Sequence, residues 1–248
     1  MMNMLTSVKN GKVKAWKKLH RRKERKNEGV FLIEGFHLVE EAWNSEWEVI
    51  EVIIQEGIAT PDWCEAVLVT EVSETVFSYI SQTNSPQGIA AVVKIKNVTD
   101  VFDYPVLLID SLQDPGNLGT IIRTADAAGF SGIILGDDTV DVFNDKVIRA
   151  TQGSLFHIPI IQANLLEQVE QLQQDGAEVW ATALQDAEVY SKVKPKEKLA
   201  LIVGNEGNGV KQELRENADK IVTIPIYGKA ESLNVSIATG ILMYYIKV

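Results

Sequence analysis

The stretch PVLLIDSLQDPGNLGTIIRTADAAGFSGIIL, residues 105–135, decides the fold of this chain. It begins with an unbroken apolar run, Val106 to Ile109, passes through a Gly-rich polar loop into a helical pattern near 117–128, and ends in a second apolar run, Gly132 to Leu135. Continuous apolar strands that alternate with helices are typical of a parallel sheet covered on both faces. We therefore expect an α/β fold whose ligands bind at the carboxyl ends of its strands.

The same alternation continues to the end of the chain. It predicts strands at 158–161, 178–183, 199–203 and 221–224, and helices near 144–151, 164–174, 210–217 and 233–247. Upstream of the turn-rich segment 97–105, short strands and helices mix without strict alternation, which indicates a smaller α/β domain. The predicted divisions are a basic arm over 1–28, a first domain over 29–98 and a parallel-sheet domain over 105–248.

Composition excludes several classes of protein. With 46% apolar and 23% charged residues, the 248-residue chain has the composition of a globular protein rather than a disordered one. No apolar run approaches the roughly 18 residues of a membrane helix, and the N-terminus lacks the apolar core of a secretory signal. The single cysteine, Cys64, excludes an internal disulfide and a cysteine-based zinc cluster. We expect a cytoplasmic protein with neither metal nor membrane span.

Charge is distributed unevenly along the chain. Residues 9–26 hold ten Lys/Arg and one acid, Glu24, so this segment carries +9 within a chain of net charge −10, which leaves −19 on the remainder. A concentrated basic arm favours a polyanion such as RNA, but a solvated charged helix explains the composition equally well. Trp16 lies inside the arm and is available to stack on a base. The candidate RNA-contacting residues are Lys14, Lys17, Lys18, Arg21, Arg22 and Arg25.

The first polar loop and the predicted helix that follows it contain two residues that suggest a functional site. Asn117 stands where a helix N-cap is expected, and Arg123 follows six residues later. Because Arg123 is flanked by Ile121 and Ile122, we expect its guanidinium to lie beside a buried stripe and to need a carboxylate or phosphate partner. An ordinary capped helix with a salt-bridged arginine also fits this spacing.

Two further loops follow predicted strands. In LIVGNEGNG, residues 201–209, glycines at 204, 207 and 209 leave room for a ligand near the backbone, although a tight turn without a ligand fits as well. Their spacing is neither the dinucleotide fingerprint nor a P-loop. In IPIYGKAESLNVSIATG, residues 224–240, Ser232 or Asn234 is expected to cap the last helix. That helix is apolar on more than one side, which predicts a second contact surface.

Together, and in this order, NLGTIIRTADAAG (117–129), LIVGNEGNGV (201–210) and IPIYGKAESLNVSIATG (224–240) resemble the SpoU/TrmH family of SPOUT RNA methyltransferases. RATQGSLFHIPI, residues 149–160, is also of family type, so the resemblance covers about 105–248. Residues 29–96, with FLIEGFHLVEEA at 31–42, are similar to the family's N-terminal substrate-binding domain, itself like an RNA-binding ribosomal-protein fold.

The resemblance implies a fold, a reaction and a set of residues. The fold would be a C-terminal parallel-sheet SPOUT domain with a deep trefoil knot, active as a homodimer through that domain. The reaction would transfer a methyl group from S-adenosylmethionine to a ribose 2′-hydroxyl of RNA, without a metal. The implied catalytic residues are Asn117, Arg123, Glu206, Ser232 and Asn234, and the implied cofactor-binding residues are Gly204, Ile224 and Leu233.

Three alternatives stay open on the sequence alone. Arg123 either activates the ribose hydroxyl, as the resemblance implies, or binds the adjacent phosphate, because a guanidinium is effectively always protonated. The chain is either an enzyme or a non-catalytic RNA-binding, ribosome-associated protein with the same fold; the glycine loop alone would fit a nucleotide-binding protein. The first domain favours ribosomal RNA over tRNA as the substrate, and the nucleotide is left open.

Overall fold

A computed structural model describes residues 4–96, 98 and 103–248. These residues form two compact units. The first contains the described residues up to 96 together with Phe143–Phe156, and the second contains Val98–Val142 and His157–Val248 as far as they are described. Most of the predicted boundary segment, residues 97 and 99–102, lies outside the described residues.

The helices and strands alternate along the chain. In chain order the helices are α1 (Gly11–Lys18), α2 (Arg22–Glu28), α3 (Phe36–Asn44), α4 (Glu74–Ile80), α5 (Pro115–Ala127), α6 (Asp145–Thr151), α7 (Leu165–Gln174), α8 (Gln212–Asn217) and α9 (Val235–Lys247). The strands are β1 (Val30–Glu34), β2 (Val49–Gln55), β3 (Leu68–Val72), β4 (Ile89–Lys94), β5 (Val106–Ile109), β6 (Gly132–Leu135), β7 (Ile160–Gln162), β8 (Glu178–Thr182), β9 (Glu188–Val189), β10 (Leu199–Val203) and β11 (Lys220–Thr223). Short 3₁₀ turns cover Asp62–Ala66, Ser154–Phe156 and Tyr190–Lys192.

The first unit is built on a four-stranded mixed sheet in the order β1-β4-β2-β3. The basic arm, predicted as a separate division over 1–28, is part of this unit over its described residues. Val13, Trp16 and Leu19, spaced along one helical face, are buried in one apolar cluster with Ile53 and Val72 of the sheet. Trp16 is 3% exposed, so it is a core residue and cannot stack on a base from this position.

The second unit is built on a seven-stranded, entirely parallel sheet in the order β7-β6-β5-β10-β8-β11-β9. Its central strands, β5, β6 and β10, are buried along their whole length, as their apolar sequences predict. The predicted fold class is therefore confirmed. The two-residue strand β9 was not predicted, because it is too short to carry a periodic pattern. The trefoil knot stays a prediction.

The start of α5 differs from the prediction. Asp114, rather than Asn117, is the N-cap: its side chain accepts a hydrogen bond of 2.8 Å from the backbone N–H of Asn117. Pro115 takes the first helical position, where its fixed φ and missing N–H are favourable. This early start frees the Asn117 side chain from capping.

Residues 143–156 belong to the first unit, whereas the sequence placed them in the parallel-sheet domain. Phe143 and Phe156 pack around Phe31 of β1, with ring centroids 4.6 and 6.5 Å from it, and Trp47 joins the same aromatic cluster. The helix between them, α6, contacts β1. Helical spacing is the same whichever core a helix packs against, so the sequence pattern could not assign this segment.

The last helix, α9, packs against α5 within the second unit. Gly240 on α9 faces Thr124 on α5, where an added Cβ would lie 3.5 Å from the threonine methyl. Across the described ranges 4–96 and 103–248, the structure contains no helix with the length and apolarity of a membrane span.

Candidate active site

A cavity of about 610 Å³ opens at the carboxyl ends of β8, β10 and β11. It is lined by the three loops that follow these strands and by the start of α9. Gly204, Ile224 and Leu233, the residues predicted to bind the cofactor, all line it. This is the edge of a parallel sheet at which ligands bind, and the volume is typical of a site for a small molecule.

The loop after β10 is a tight turn that requires glycine at position 204. Asn205 and Gly209 exchange two backbone hydrogen bonds, both 3.0 Å, and the Asn205 Oδ1 accepts N–H groups from inside the loop. An added Cβ on Gly204 would lie 2.1–2.3 Å from the backbone of Gly209 and Val210. The glycine is therefore needed for the loop to close on itself, before any ligand is considered.

Three of the five predicted catalytic residues form one hydrogen-bonded network. The Asn117 Nδ2 donates to Glu206 Oε1 at 3.2 Å, and the Asn234 Nδ2 donates to Asn117 Oδ1 at 3.0 Å. These residues follow three different strands, β5, β10 and β11, and periodicity alone could not have shown that they meet. The network fixes the orientation of both amides.

Backbone groups complete the environment of Glu206. Its carboxylate also accepts the N–H groups of Gln113 and Asp114, at 3.3 and 3.0 Å. Partial burial raises the pKa of Glu206, but the hydrogen bonds it accepts, including that from Asn117, together outweigh burial and hold its pKa below the usual value. Glu206 is accordingly an anion that ties the loop after β10 to the start of α5.

Asn234 caps α9 as the sequence predicted. Its Oδ1 accepts the backbone N–H of Ser236 at 2.9 Å and of Ile237 at 3.4 Å, which leaves the Nδ2 for Asn117. Ser232 lies two residues earlier, exposed and lining the cavity. Within the described part of the chain, no hydrogen bond joins its side chain to the network.

Arg123 is not part of this network. It is exposed on α5, contrary to the expectation that it would lie beside a buried stripe, because Ile121 and Ile122 point into the core while Arg123 faces outward. Its side chain makes neither an ion pair nor a hydrogen bond with any residue that the structure describes. The guanidinium is thus available to an external anion.

Sequence analysis missed the pair that joins the first two loops. Asp110, 2% exposed, directly follows β5, and its Oδ2 accepts the backbone N–H of Lys211 at 2.8 Å. The Lys211 ammonium lies 2.9 Å from Asp138 and 3.6 Å from Asp110. The hydrogen bond that Lys211 donates to Asp138 is the largest cause of the raised Lys211 pKa. An acid directly after a buried parallel strand could have indicated Asp110; nothing in the sequence indicates its partner.

The basic residues of the first unit divide into exposed and buried groups. Lys14, Lys18, Arg21 and Arg22 are exposed, and Lys17 is half-buried with its ammonium 5.3 Å from the centre of the Tyr79 ring. Arg25 is a correction to the predicted RNA-contacting set. It is 6% exposed and donates to the carbonyl of Leu19 at 2.7 Å, so it supports the fold of α2 instead of facing a substrate.

The residues described by the structure contain no group of three or more His, Cys, Asp and Glu side chains that could hold a metal ion. The buried thiol of Cys64 belongs to the first unit, where burial raises its pKa. The polar groups that line the cavity are amides, carboxylates, hydroxyls, one guanidinium and backbone groups.

Comparisons with known proteins agree with this geometry. The model of the SpoU rRNA Methylase family matches residues 104–244, and the model of the MRM3-like substrate binding domain matches residues 10–91. The second match includes α1 and α2, in agreement with their place in the first unit.

Relatives match over nearly the whole chain. The 23S rRNA (guanosine(2553)-2′-O)-methyltransferase RlmP of Bacillus subtilis is 47% identical over 99% of this chain and 100% of its own length. The AdoMet-bound rRNA methyltransferase of Sinorhizobium meliloti has a TM-score of 0.90 at 35% identity, covering 99% and 97% of the two chains. The SpoU methyltransferase AviRb of Streptomyces viridochromogenes, in complex with AdoMet, gives 0.84 at 26% identity, covering 96% and 97%.

The parallel sheet, the cavity at its edge and these neighbours together define a SPOUT-type methyltransferase. Within that class, the chain belongs to the SpoU rRNA methylase family, whose model covers more than half of it. The resemblance drawn from the three motifs is thereby confirmed.

Proposed function

We propose that the protein transfers the methyl group of S-adenosylmethionine to a ribose 2′-hydroxyl of ribosomal RNA, with release of S-adenosylhomocysteine and of the hydroxyl proton. The observation that carries this proposal is that a cavity and a hydrogen-bonded network share one residue, Glu206. The cavity is lined by Gly204, Ile224 and Leu233, and the network joins Glu206, Asn117 and Asn234.

The cavity fits the cofactor in size and in chemistry. Its volume lies within the range for cofactor sites. Backbone groups at Gly204, Ile224 and Leu233 would hold the cofactor, and the tight loop after β10 exposes its backbone without bulky side chains. When bound, the cofactor supplies a methyl group attached to a positively charged sulfonium. The acids Glu206 and Glu231 line the cavity and favour a cation there.

The protein's part in the reaction is orientation and electrostatics. A reaction between a positive sulfonium and a developing negative oxygen would lose charge in its transition state, so a preformed, poorly hydrated site would favour it. The network holds the Asn117 and Asn234 amides in one orientation before substrate arrives, which avoids reorganisation during the reaction. Ser232, exposed at the cavity, is available to contact the ribose.

Arg123 is assigned to the RNA phosphate. It is exposed and has no carboxylate partner among the described residues, and guanidinium groups in general are poor bases. Binding the phosphate next to the target ribose would hold the hydroxyl in line without removing a proton.

Ribosomal RNA is the favoured substrate. The Bacillus subtilis relative is named for a guanosine of 23S rRNA, and its 47% identity extends over both units. We therefore assign this chain to a guanosine ribose of the large ribosomal RNA. The exposed residues Lys14, Lys18, Arg21 and Arg22 would add affinity for the phosphates of that RNA, and such a reaction would take place in the cytoplasm.

A homodimer through α9 is the second part of the proposal. Ile237, Ile241 and Tyr244 recur at spacings of four and three, and they are 56%, 37% and 53% exposed, which makes one apolar stripe. The opposite side of α9 packs within the second unit, whereas this stripe is exposed. We therefore expect the stripe to be buried against the same helix of a second copy of the protein. Tyr245 is half-buried, and its hydroxyl donates to the Val193 carbonyl at 2.9 Å, so we leave it out of the stripe.

Mapping of 2′-O-methylation tests the function in cells. Ribosomal RNA from cells lacking the gene should miss one ribose methylation, which the intact gene restores and an Asn117→Ala, Asn234→Ala double variant does not. An unchanged methylation map in cells lacking the gene would contradict the proposal. A non-catalytic RNA-binding protein with this fold would leave the map unchanged.

A further inference from the structure

One charged side chain in the cavity wall takes no part in the network. Arg215, on α8, lines the cavity and is half-buried. Its Nε is covered by protein without any hydrogen-bond acceptor. The guanidinium makes no ion pair and no hydrogen bond with the residues that the structure describes. It has therefore given up part of its hydration without a compensating partner, which is unfavourable for a permanent cation.

The charges along the cavity wall indicate what the missing partner is. Among the described lining residues Arg215 is the one cation, and Glu206 and Glu231 are the two acids. S-adenosylmethionine carries one anionic group, the α-carboxylate, and two cationic groups, the α-ammonium and the sulfonium. One cation and two acids in the wall complement this set of charges.

We propose that Arg215 binds the α-carboxylate of the methionine part of the cofactor and is an affinity-determining residue of the site. This rests on the proposed function. A guanidinium presents a planar set of donors that matches a carboxylate, and contact with one would satisfy a group that lacks a partner in the protein. Arg215 lies outside all three motifs, so neither spacing nor the resemblance indicated it.

Two ligands that differ in the amino-acid part test the assignment. S-adenosylhomocysteine retains the carboxylate, and 5′-methylthioadenosine lacks both the carboxylate and the amine. Binding of each to the full chain is measured by calorimetry for the wild type, Arg215→Met and Arg215→Lys. The matched control is Lys194→Met, which removes one positive charge from an exposed position that does not line the cavity.

We expect Arg215→Met to weaken S-adenosylhomocysteine about tenfold or more, because a charge-assisted hydrogen bond is lost. Binding of 5′-methylthioadenosine should change by less than about twofold on the same reasoning. Arg215→Lys should recover part of the lost affinity, and Lys194→Met should bind both ligands like the wild type. Unchanged binding of 5′-methylthioadenosine also shows that the variant is folded.

Three results would overturn the assignment. Equal losses for the two ligands would place Arg215 against the adenosine part or in the structure of the cavity. Unchanged affinity for both, or a loss of RNA binding alone, would assign the guanidinium to another anion. If the wild type bound neither ligand, the proposed cofactor itself would fail, and that result is distinct from failure of the Arg215 assignment.

Discussion

Replacing Gly204 by alanine should open the loop that forms one wall of the cavity. The new Cβ would stand 2.1–2.3 Å from backbone atoms of Gly209 and Val210, and a main-chain contact of that kind cannot be relieved by a side-chain rotation. The loop must separate from itself, which breaks the two hydrogen bonds that Asn205 and Gly209 exchange.

The size of the effect follows from those two bonds. A net contribution of about 0.5–1.5 kcal/mol for each gives about 1–3 kcal/mol to restore the closed loop. We take the closed loop to be the form that binds the cofactor. Because about 1.4 kcal/mol corresponds to a factor of ten, the affinity for S-adenosylhomocysteine should then fall about 5- to 150-fold. Calorimetry measures this directly, and thermal unfolding without ligand shows that the variant is folded.

Gly207→Ala is the matched control in the same loop. Its added Cβ would meet only the Asn205 Oδ1, at the ordinary contact distance of 3.5 Å, and the backbone there needs no positive φ. This variant should bind nearly as the wild type does. Wild-type affinity in a folded Gly204→Ala protein would refute the assignment of this loop to the cofactor.

Four further predictions concern turnover, assembly, RNA affinity and pH. Arg123→Ala should lower the rate of methyl transfer by orders of magnitude and leave the affinity for S-adenosylhomocysteine nearly unchanged, because its partner is the RNA phosphate. Ile241→Asp should yield monomers in sedimentation, because it places a charge in the apolar stripe of α9. Lys14→Gln with Lys18→Gln should reduce the slope of log K against log salt by about 1.4–1.8 if each residue contacts one phosphate. The pKa of Glu206 is lower in the folded protein than in the unfolded chain. Its contribution to the free energy of unfolding is therefore complete above the unfolded-state pKa and is lost as pH falls through the folded-state pKa. Glu206→Gln should accordingly lose less stability on acidification than the wild type.

Each of these predictions has a contrasting result. Full turnover of Arg123→Ala at saturating RNA would remove its role, and an Ile241→Asp protein that stays dimeric would move the interface elsewhere. Tyr245→Phe, which loses only an internal hydrogen bond, should remain dimeric. If the double lysine variant and the wild type had equal salt slopes, Lys14 and Lys18 would not contact the RNA and would only contribute to solubility. If Glu206→Gln lost as much stability at low pH as the wild type does, the hydrogen bonds to Glu206 would not stabilise its carboxylate.

Local pattern predicted much of the fold, and the resemblance supplied the candidate site residues. The strands β6 and β10 have the predicted bounds, because short apolar runs between turn signals leave few other interpretations. The need for glycine at 204 was visible as a strand that runs into a glycine loop. That Asn117, Glu206 and Asn234 meet was not derivable from spacing, since the contact depends on the order of strands in the sheet.

The sequence-based predictions were wrong where tertiary packing determines the environment of a side chain. Arg25 and Trp16 are in a basic segment, but the helical faces that carry them pack into the core, and net charge does not report which way a side chain points. Asp114 replaces Asn117 as N-cap because Pro115 fixes the first turn two residues earlier than the apolar pattern indicates. Arg215 shows no signal in the sequence, because its importance comes from lacking a partner in the fold.

The central claim is transfer of a methyl group to a ribose oxygen of ribosomal RNA, and the most direct measurement follows the methyl group itself. Purified protein is incubated with methyl-labelled S-adenosylmethionine and deproteinised ribosomal RNA from cells lacking the gene, and the RNA is then hydrolysed by alkali. A ribose 2′-O-methyl group blocks cleavage at its own phosphodiester bond, so we expect label in an alkali-resistant dinucleotide. Label in ordinary mononucleotides, which would place the methyl group on a base, or no label at all, would contradict it.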